Sequence, residues 1–185
     1  MRPLTGSAIL AAALLAPLAL APPARAQAQD CGDVIARDPQ LTRATSALER
    51  TGILDNLRVI GPLTIFAVTD AGIARQPQNL AEALFPQAGS NQGGQAMDPV
   101  LAPNVVNAHI VDGRFGVEAL RAGMSLRSRS GQTIEVVSVE GGPVTLRPGR
   151  GGFSVGARAA DAHVVQADIP CSNGVIHKID HVLVR

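Results

Sequence analysis

Asn173-Gly174-Val175-Ile176-His177-Lys178-Ile179-Asp180-His181-Val182-Leu183 is the stretch on which the reading of this chain turns. Asn-Gly is a turn dipeptide, because both residues tolerate the backbone conformations that tight turns require. The β-branched residues that follow, Val175, Ile176 and Ile179, favour a strand, and the apolar run continues to Val184. The choice matters for the histidines. On a helix, His177 and His181 would stand at i and i+4, the spacing of a metal-ligand pair. On a strand they share a face but lie roughly 13 Å apart, at about 3.3 Å per residue. One zinc ion, with bonds of about 2 Å, cannot hold both. The strand reading therefore predicts a buried, hydrogen-bonded His177 and no metal site.

Working outward, Leu63 to Val68 is a second compact apolar strand, and either Thr69 or Asp70 after it can cap a short helix beginning near Ala71. Upstream, Leu41, Ala44 and Leu48 recur at helical spacing, Gly52 is a stop, and Ile53 to Ile60 reads as a second short helix. Asn79 is read as the cap of a helix through Leu84. Residues 88–96, rich in Gly, Gln, Ser and Asn, form a loop. Asp98-Pro99 opens a further helix with Val105, Val106, His109 and Ile110 on its apolar face. Val117 to Arg121 is a short helix. After Met124 the pattern changes to short strand-like runs: Gln132–Val139, Val144–Leu146, Ala162–Ala167 and Val175–Val184. Helices first and strands second argue for one α+β domain rather than alternating βαβ units.

Thr64-Ile65-Phe66-Ala67-Val68-Thr69-Asp70 and the 173–183 stretch together resemble the paired signature segments of the fasciclin (FAS1) family, T-x-F-A-P-T-D/N and N-G-V-I-H-x-I-D-x-V-L. Between them, Asn107-Ala108-His109-Ile110-Val111 is similar to the family's Y-H-V segment. Val164 to Ile169 matches the strand before the second signature. The resemblance runs in order from about Leu41 to Val184. It implies a FAS1 fold, a β-sandwich-like wedge with packed short helices, and extracellular adhesion or matrix roles without catalytic residues. The signature residues Thr64, Phe66, Thr69, Asp70, His109, Asn173, Gly174, His177 and Asp180 are then expected to serve the fold. Val68 departs from the usual Pro, Ala71-Gly72-Ile73 from the usual start of the helix, and Ala108 from Tyr. The Tyr-His adhesion surface of animal members does not carry over, because its ring is missing.

The start of the chain reads as an export signal. Arg2 is the positive start, Ala8 to Leu20 an apolar run interrupted by Pro17, and Ala24-Arg25-Ala26 and Ala26-Gln27-Ala28 fit small-x-small cleavage. The run is short for a bilayer, which takes roughly 20 apolar residues. The expected organisation is a signal peptide at 1–26, an N-terminal leader with Cys31 at 27–40, and the FAS1 domain at 41–185, with no membrane span after cleavage. Two cysteines, Cys31 and Cys171, in an exported chain read as one disulfide. Losing residues 1–26 removes Arg2 and Arg25 and no acid, leaving 14 basic against 15 acidic residues, a formal charge of −1. That balance gives no steering toward nucleic acid. Aromatic residues at 2% leave no stacking platform for single strands or sugars.

Candidate chemistry is thin. Ser172, His177 and Asp180 are near one another in sequence, but no G-x-S-x-G turn presents a nucleophile. Arg127-Ser128-Arg129 and Arg147 to Gly152 are two basic patches, read as solvated strand edges and a loop. The apolar helix Val105–Val111 is read as a core face. The expected function is a non-enzymatic module, periplasmic or secreted, that binds a protein, envelope polymer or matrix component and needs no cofactor. The alternative is a carrier of a small apolar ligand, and a hydrolase is third.

Overall fold

Helix and strand alternate unevenly along the chain, and the reason is local. The computed structural model describes residues 29–87, 97–138, 143–151 and 160–184; the expected signal peptide, the 88–96 loop and Gly152 at the end of the second basic patch lie outside them. α1 (Cys31–Ala36) is capped by Asp30, whose carboxylate accepts from the Asp33 N–H at 2.8 Å. α2 (Thr42–Arg50) ends at Thr51, and Gly52 takes φ +68°, a left-handed turn that glycine adopts without strain, before α3 (Ile53–Val59). β1 (Leu63–Val68) runs into the single turn α4 (Asp70–Ile73), then α5 (Gln78–Leu84) and α6 (Leu101–Ala108).

Six strands follow: β2 (Ile110–Asp112), β3 (Ser125–Arg127), β4 (Thr133–Ser138), β5 (Thr145–Pro148), β6 (Ala162–Cys171) and β7 (Gly174–Ile179). They join β1 in one ladder, ordered β2-β1-β7-β6-β5-β4-β3. Every pairing is antiparallel except β1–β7, which is parallel. The two ends of the ladder meet: Val111 bridges Ser128, and the Arg129 N–H donates to the Ile110 carbonyl at 2.8 Å. The sheet therefore wraps around a single core that includes Leu63, Phe66, Ile134, Leu146, Ile176 and Leu183, all fully buried. Each such large side chain contributes about 1.5–3 kcal/mol by burial.

Several expectations change. Ile110 is a strand residue, because it pairs with Ile65 of β1 where the helical face would have continued. The last strand stops at Ile179, and Val182 to Val184 lie buried without a ladder. His181 is thus off the strand. The helix expected over 117–121 shrinks to a 3₁₀ turn, Val117–Ala119, because Leu120 turns extended into the core. Asn79 lies inside α5, which Pro77 precedes as cap. β6 runs on to Cys171, four residues beyond the expected Ala167, because it stays paired with β7. Of β3 only the strand edge at Arg127 was expected, and the N-terminal leader holds α1, whose Cys31 and Ile35 are fully buried.

Candidate functional site

The two signature segments lie side by side. β1 and β7 pair in parallel from Leu63–Gly174 through Thr64–Val175, Phe66–His177 and Val68–Ile179. Both strands are buried along their whole length. Strands covered on both faces are near-continuous apolar runs, so any polar residue within them needs a partner. Three occur: Thr64, His177 and Lys178.

Thr64 and His177 hold the same loop residue. Thr64 Oγ1 accepts the Phe115 N–H at 2.9 Å and donates to the Gly113 carbonyl at 2.7 Å. His177 Nε2 donates to the Phe115 carbonyl at 2.8 Å, and its Nδ1 accepts the Asp168 N–H at 3.2 Å. The imidazole stacks on Phe66, centroids 5.6 Å apart. Burial pushes the His177 pKa down, against the opposing pull of the Phe115 carbonyl and Asp168. Neutral His177 thus pins the 113–116 loop and the bulge at Asp168, a non-glycine residue at φ +54°.

His109 repeats this device at the chain's end. Its Nδ1 donates to the Val105 carbonyl at 2.7 Å, and Nε2 accepts the Leu183 N–H at 2.9 Å. The Leu183 carbonyl accepts from the side-chain amide of buried Gln132 at 3.1 Å. Two side chains thus do for Leu183 what a neighbouring strand would otherwise do. Burial lowers the His109 pKa to about 4, against the pull of the Val105 carbonyl. A folded pKa below the unfolded value of about 6.5 means that the unfolded chain takes up the proton first. The contribution is therefore present above pH ~6.5 and lost as pH falls toward 4, on the order of 3 kcal/mol. Urea midpoints measured from pH 7.5 to 4.5 should fall steeply. The slope should flatten in His109→Gln without vanishing, since His177 acts in the same direction; an unchanged slope would refute this role.

Asp70 corrects the sequence reading. Thr69 caps α4, its Oγ1 accepting the Gly72 N–H at 3.1 Å. Asp70 instead caps α2: Oδ1 accepts the Arg43 N–H at 2.9 Å, and Oδ2 the Thr42 N–H and hydroxyl. Leu41, at the cap position of α2, has no side chain for the task. Asp180 accepts the His163 N–H at 2.7 Å and pairs with Arg75 at 2.9 Å, with the Nδ1 atoms of His163 and His181 at 3.4 and 3.1 Å. Burial raises its pKa, but the His163 N–H, His181 and Arg75 outweigh it and hold the carboxyl at about 2. Lys178, which the signature leaves unspecified, is buried and paired with Asp38, with Gln40 at 3.1 Å. A lysine inside an apolar strand is a legible signal for a buried partner. Gln132 carries no comparable signal.

Asn173 joins three segments. Its Oδ1 accepts the Cys31 N–H at 2.9 Å, and its Nδ2 donates to the Leu57 and Ile60 carbonyls, each at 2.7 Å. Beside it the Cys31–Cys171 disulfide closes a sequence separation of 140 residues. Gly174 leaves no room for a side chain, since a Cβ would meet the Leu63 carbonyl oxygen and, at 3.0 Å, Cys31 Sγ.

The Ser-His-Asp combination is not assembled. Ser172 precedes β7 and Asp180 follows it, about 20 Å of strand apart, and His177 faces Phe115. Among the described residues no group of three His, Cys, Asp or Glu side chains is arranged to hold a metal ion, and no helix is long and apolar enough to cross a membrane. The basic patches are partly neutralised: Arg147 forms a two-pronged pair with Asp161 at 2.8 and 2.7 Å, and Arg129 pairs with Asp112 at 2.8 Å. The helix face at Val106, with Ile35, Leu48, Phe66, Phe85 and His109, surrounds a cavity of only about 30 Å³. An open groove of about 670 Å³ lies beyond the ends of β1 and β7, lined by Gln40, Asp70, Arg75, Val165, Gln166 and Asp180 among others.

A wedge whose signature polar residues hold backbone, beside an open groove, defines a scaffold of the interaction-module class. The chain belongs to the fasciclin domain family, whose family model matches residues 39–185. It is 27% identical over 151 residues to the uncharacterized protein sll1735 of Synechocystis sp., covering 82% of this chain and 94% of that protein. It is 25% identical over 151 residues to protein sll1483 of the same organism, covering 82% and 71%. The fold is similar to a solved FAS1 domain pair from the insect cell adhesion molecule fasciclin I, with a TM-score of 0.62 and 16% identity over 85% of this chain. This chain spans about half of that structure, 51%.

Proposed function

We propose that this fasciclin domain is a non-enzymatic interaction module that acts outside the cytoplasm, periplasmic or secreted, and engages a protein, an envelope polymer or a matrix component. The proposed organisation is a cleaved signal at 1–26, a leader at 27–40 tethered through Cys31, and the module at 41–185. The observation that carries the reading is the division of labour in the fold. The polar signature residues hold backbone, and the open groove that Asp70 and Asp180 border also presents Arg75, paired with Asp180, and, at 56% exposure, Val165 to solvent. The insect relative is a cell adhesion molecule, which supports the same reading. The carrier alternative has less support, because ligand pockets usually measure about 300–1,000 Å³ and the apolar cavity is about 30 Å³.

A photo-crosslinking residue at Val165, with the same residue at exposed Val59 as control, tests this in native envelope. The expected result is a discrete adduct from Val165 alone, to one protein or polymer. Equal labelling from both positions would count against the groove. Co-purified lipid or pigment in an organic extract of the native protein would favour the carrier.

A further inference from the structure

Asn173-Gly174 is the only Asn-Gly pair in the chain, and the fold occupies both ends of its side-chain amide. Oδ1 accepts from Cys31 N–H, and both Nδ2 hydrogens have carbonyl partners, Leu57 and Ile60. The main-chain carbonyl of Asn173 accepts the Leu63 N–H at 3.1 Å. Gly174 itself is paired with Leu63 on one side and Cys171 on the other. Glycine is required here because a Cβ would collide with the Leu63 carbonyl. The same missing Cβ leaves the Gly174 nitrogen without the steric cover that any other residue would supply.

We propose that Asn173 is a deamidation site gated by the fold: closed in the native, oxidised protein, opened by unfolding or by loss of the Cys31–Cys171 bond, and irreversible in its consequence. The chemistry needs only water. The Gly174 nitrogen, giving up its proton, attacks Asn173 Cγ. A Cγ–N bond forms, the Cγ–Nδ2 bond breaks, and the side-chain amide leaves as ammonia. Water then opens the five-membered imide at either carbonyl, yielding aspartate or isoaspartate. In the native protein this attack must first break the three amide hydrogen bonds and draw Gly174 out of two ladders. Reduction loosens the α1 segment that supplies the Cys31 N–H, and unfolding removes every restraint.

Neither product rebuilds the site. Aspartate has no N–H for the Leu57 and Ile60 carbonyls, so a carboxylate oxygen would face two acceptors. Isoaspartate lengthens the main chain at the first residue pair of the β1–β7 ladder, where a shift in register turns side chains to the wrong face. A chain that deamidates while unfolded therefore returns to a fold permanently less stable than the original. This holds whatever the module binds.

The test incubates the purified oxidised chain in buffer, the reduced chain in buffer, and the oxidised chain in urea. Peptide mapping follows Asn173, with Asn56, Asn79, Asn104 and Asn107 as internal controls. Asn173 is expected to convert about a hundredfold faster in urea than in the native protein, with the reduced protein between them. After dilution from urea, the fraction that refolds with a lowered melting temperature should equal the fraction converted. Equal rates in buffer and urea would overturn the gating. Converted chains that refold to the wild-type melting temperature would overturn the consequence. Asn173→Asp gives one product in pure form and should melt below wild type; the partition of converted chains on refolding serves where that variant does not accumulate.

Discussion

Reduction of the Cys31–Cys171 disulfide is expected to lower the unfolding free energy by about 4–5 kcal/mol. The bond spans 140 residues of sequence, and the entropy that a cross-link removes from the unfolded chain grows with the logarithm of the closed loop. Both sulfur-bearing residues are buried, Cys31 completely. The bond also fixes α1 against the β6–β7 turn, where Ser172 N–H donates to the Gln29 carbonyl at 2.8 Å and Cys31 N–H to Asn173. Part of the loss should therefore be local, seen as faster hydrogen exchange over 31–37 before global unfolding. Urea curves of the oxidised protein and of Cys31→Ala/Cys171→Ala measure the whole effect. Two free thiols in the native protein, or a disulfide-linked dimer, would remove this account.

His177→Ala is expected to cost about 2–4 kcal/mol, at the high end for single substitutions. The ring is fully buried and stacks on Phe66. Truncation leaves a void against that ring. It also strands the Phe115 carbonyl and the Asp168 N–H, which His177 holds at 2.8 and 3.2 Å. Unpaired buried groups cost more than their bond contributed when made. Any loss of partner binding should track the unfolded fraction, so a variant that stays folded at low temperature should bind normally there. A variant with wild-type melting temperature and abolished binding would instead make His177 a contact or catalytic residue. His177→Asn retains a donor and an acceptor on a shorter side chain and should recover part of the loss.

These effects show how unevenly the site was legible. That His177 is buried and hydrogen-bonded followed from the β-branched residues around it, before any partner was known. The identity of its partners did not follow, because Phe115 and Asp168 lie 62 and 9 residues away and both bonds run to backbone atoms, which no side-chain pattern marks. Asp70 is the sharper case. A carboxylate beside a short helix reads locally as that helix's cap. It caps α2 instead, because Thr69 already serves α4 while the Thr42 and Arg43 N–H groups face Asp70 across the β1–α4 junction.

By itself the sequence determined the class α+β, the strands β1 and β7, the helices over 42–59 and the turn at Asp98-Pro99 that leads into α6, where the Asp98 carboxylate accepts the Val100 and Leu101 N–H groups. All of these rest on interactions within a few residues: side-chain period, turn dipeptides and caps. Tertiary structure alone decided the parallel pairing of β1 with β7 and the closure of the sheet at Val111–Ser128. It alone placed the Leu183 backbone between His109 and Gln132, and Lys178 beside Asp38. In each of these cases the partner of a buried polar group comes from a distant segment. Burial demands that some partner exist, but only the packing of the whole chain selects which one.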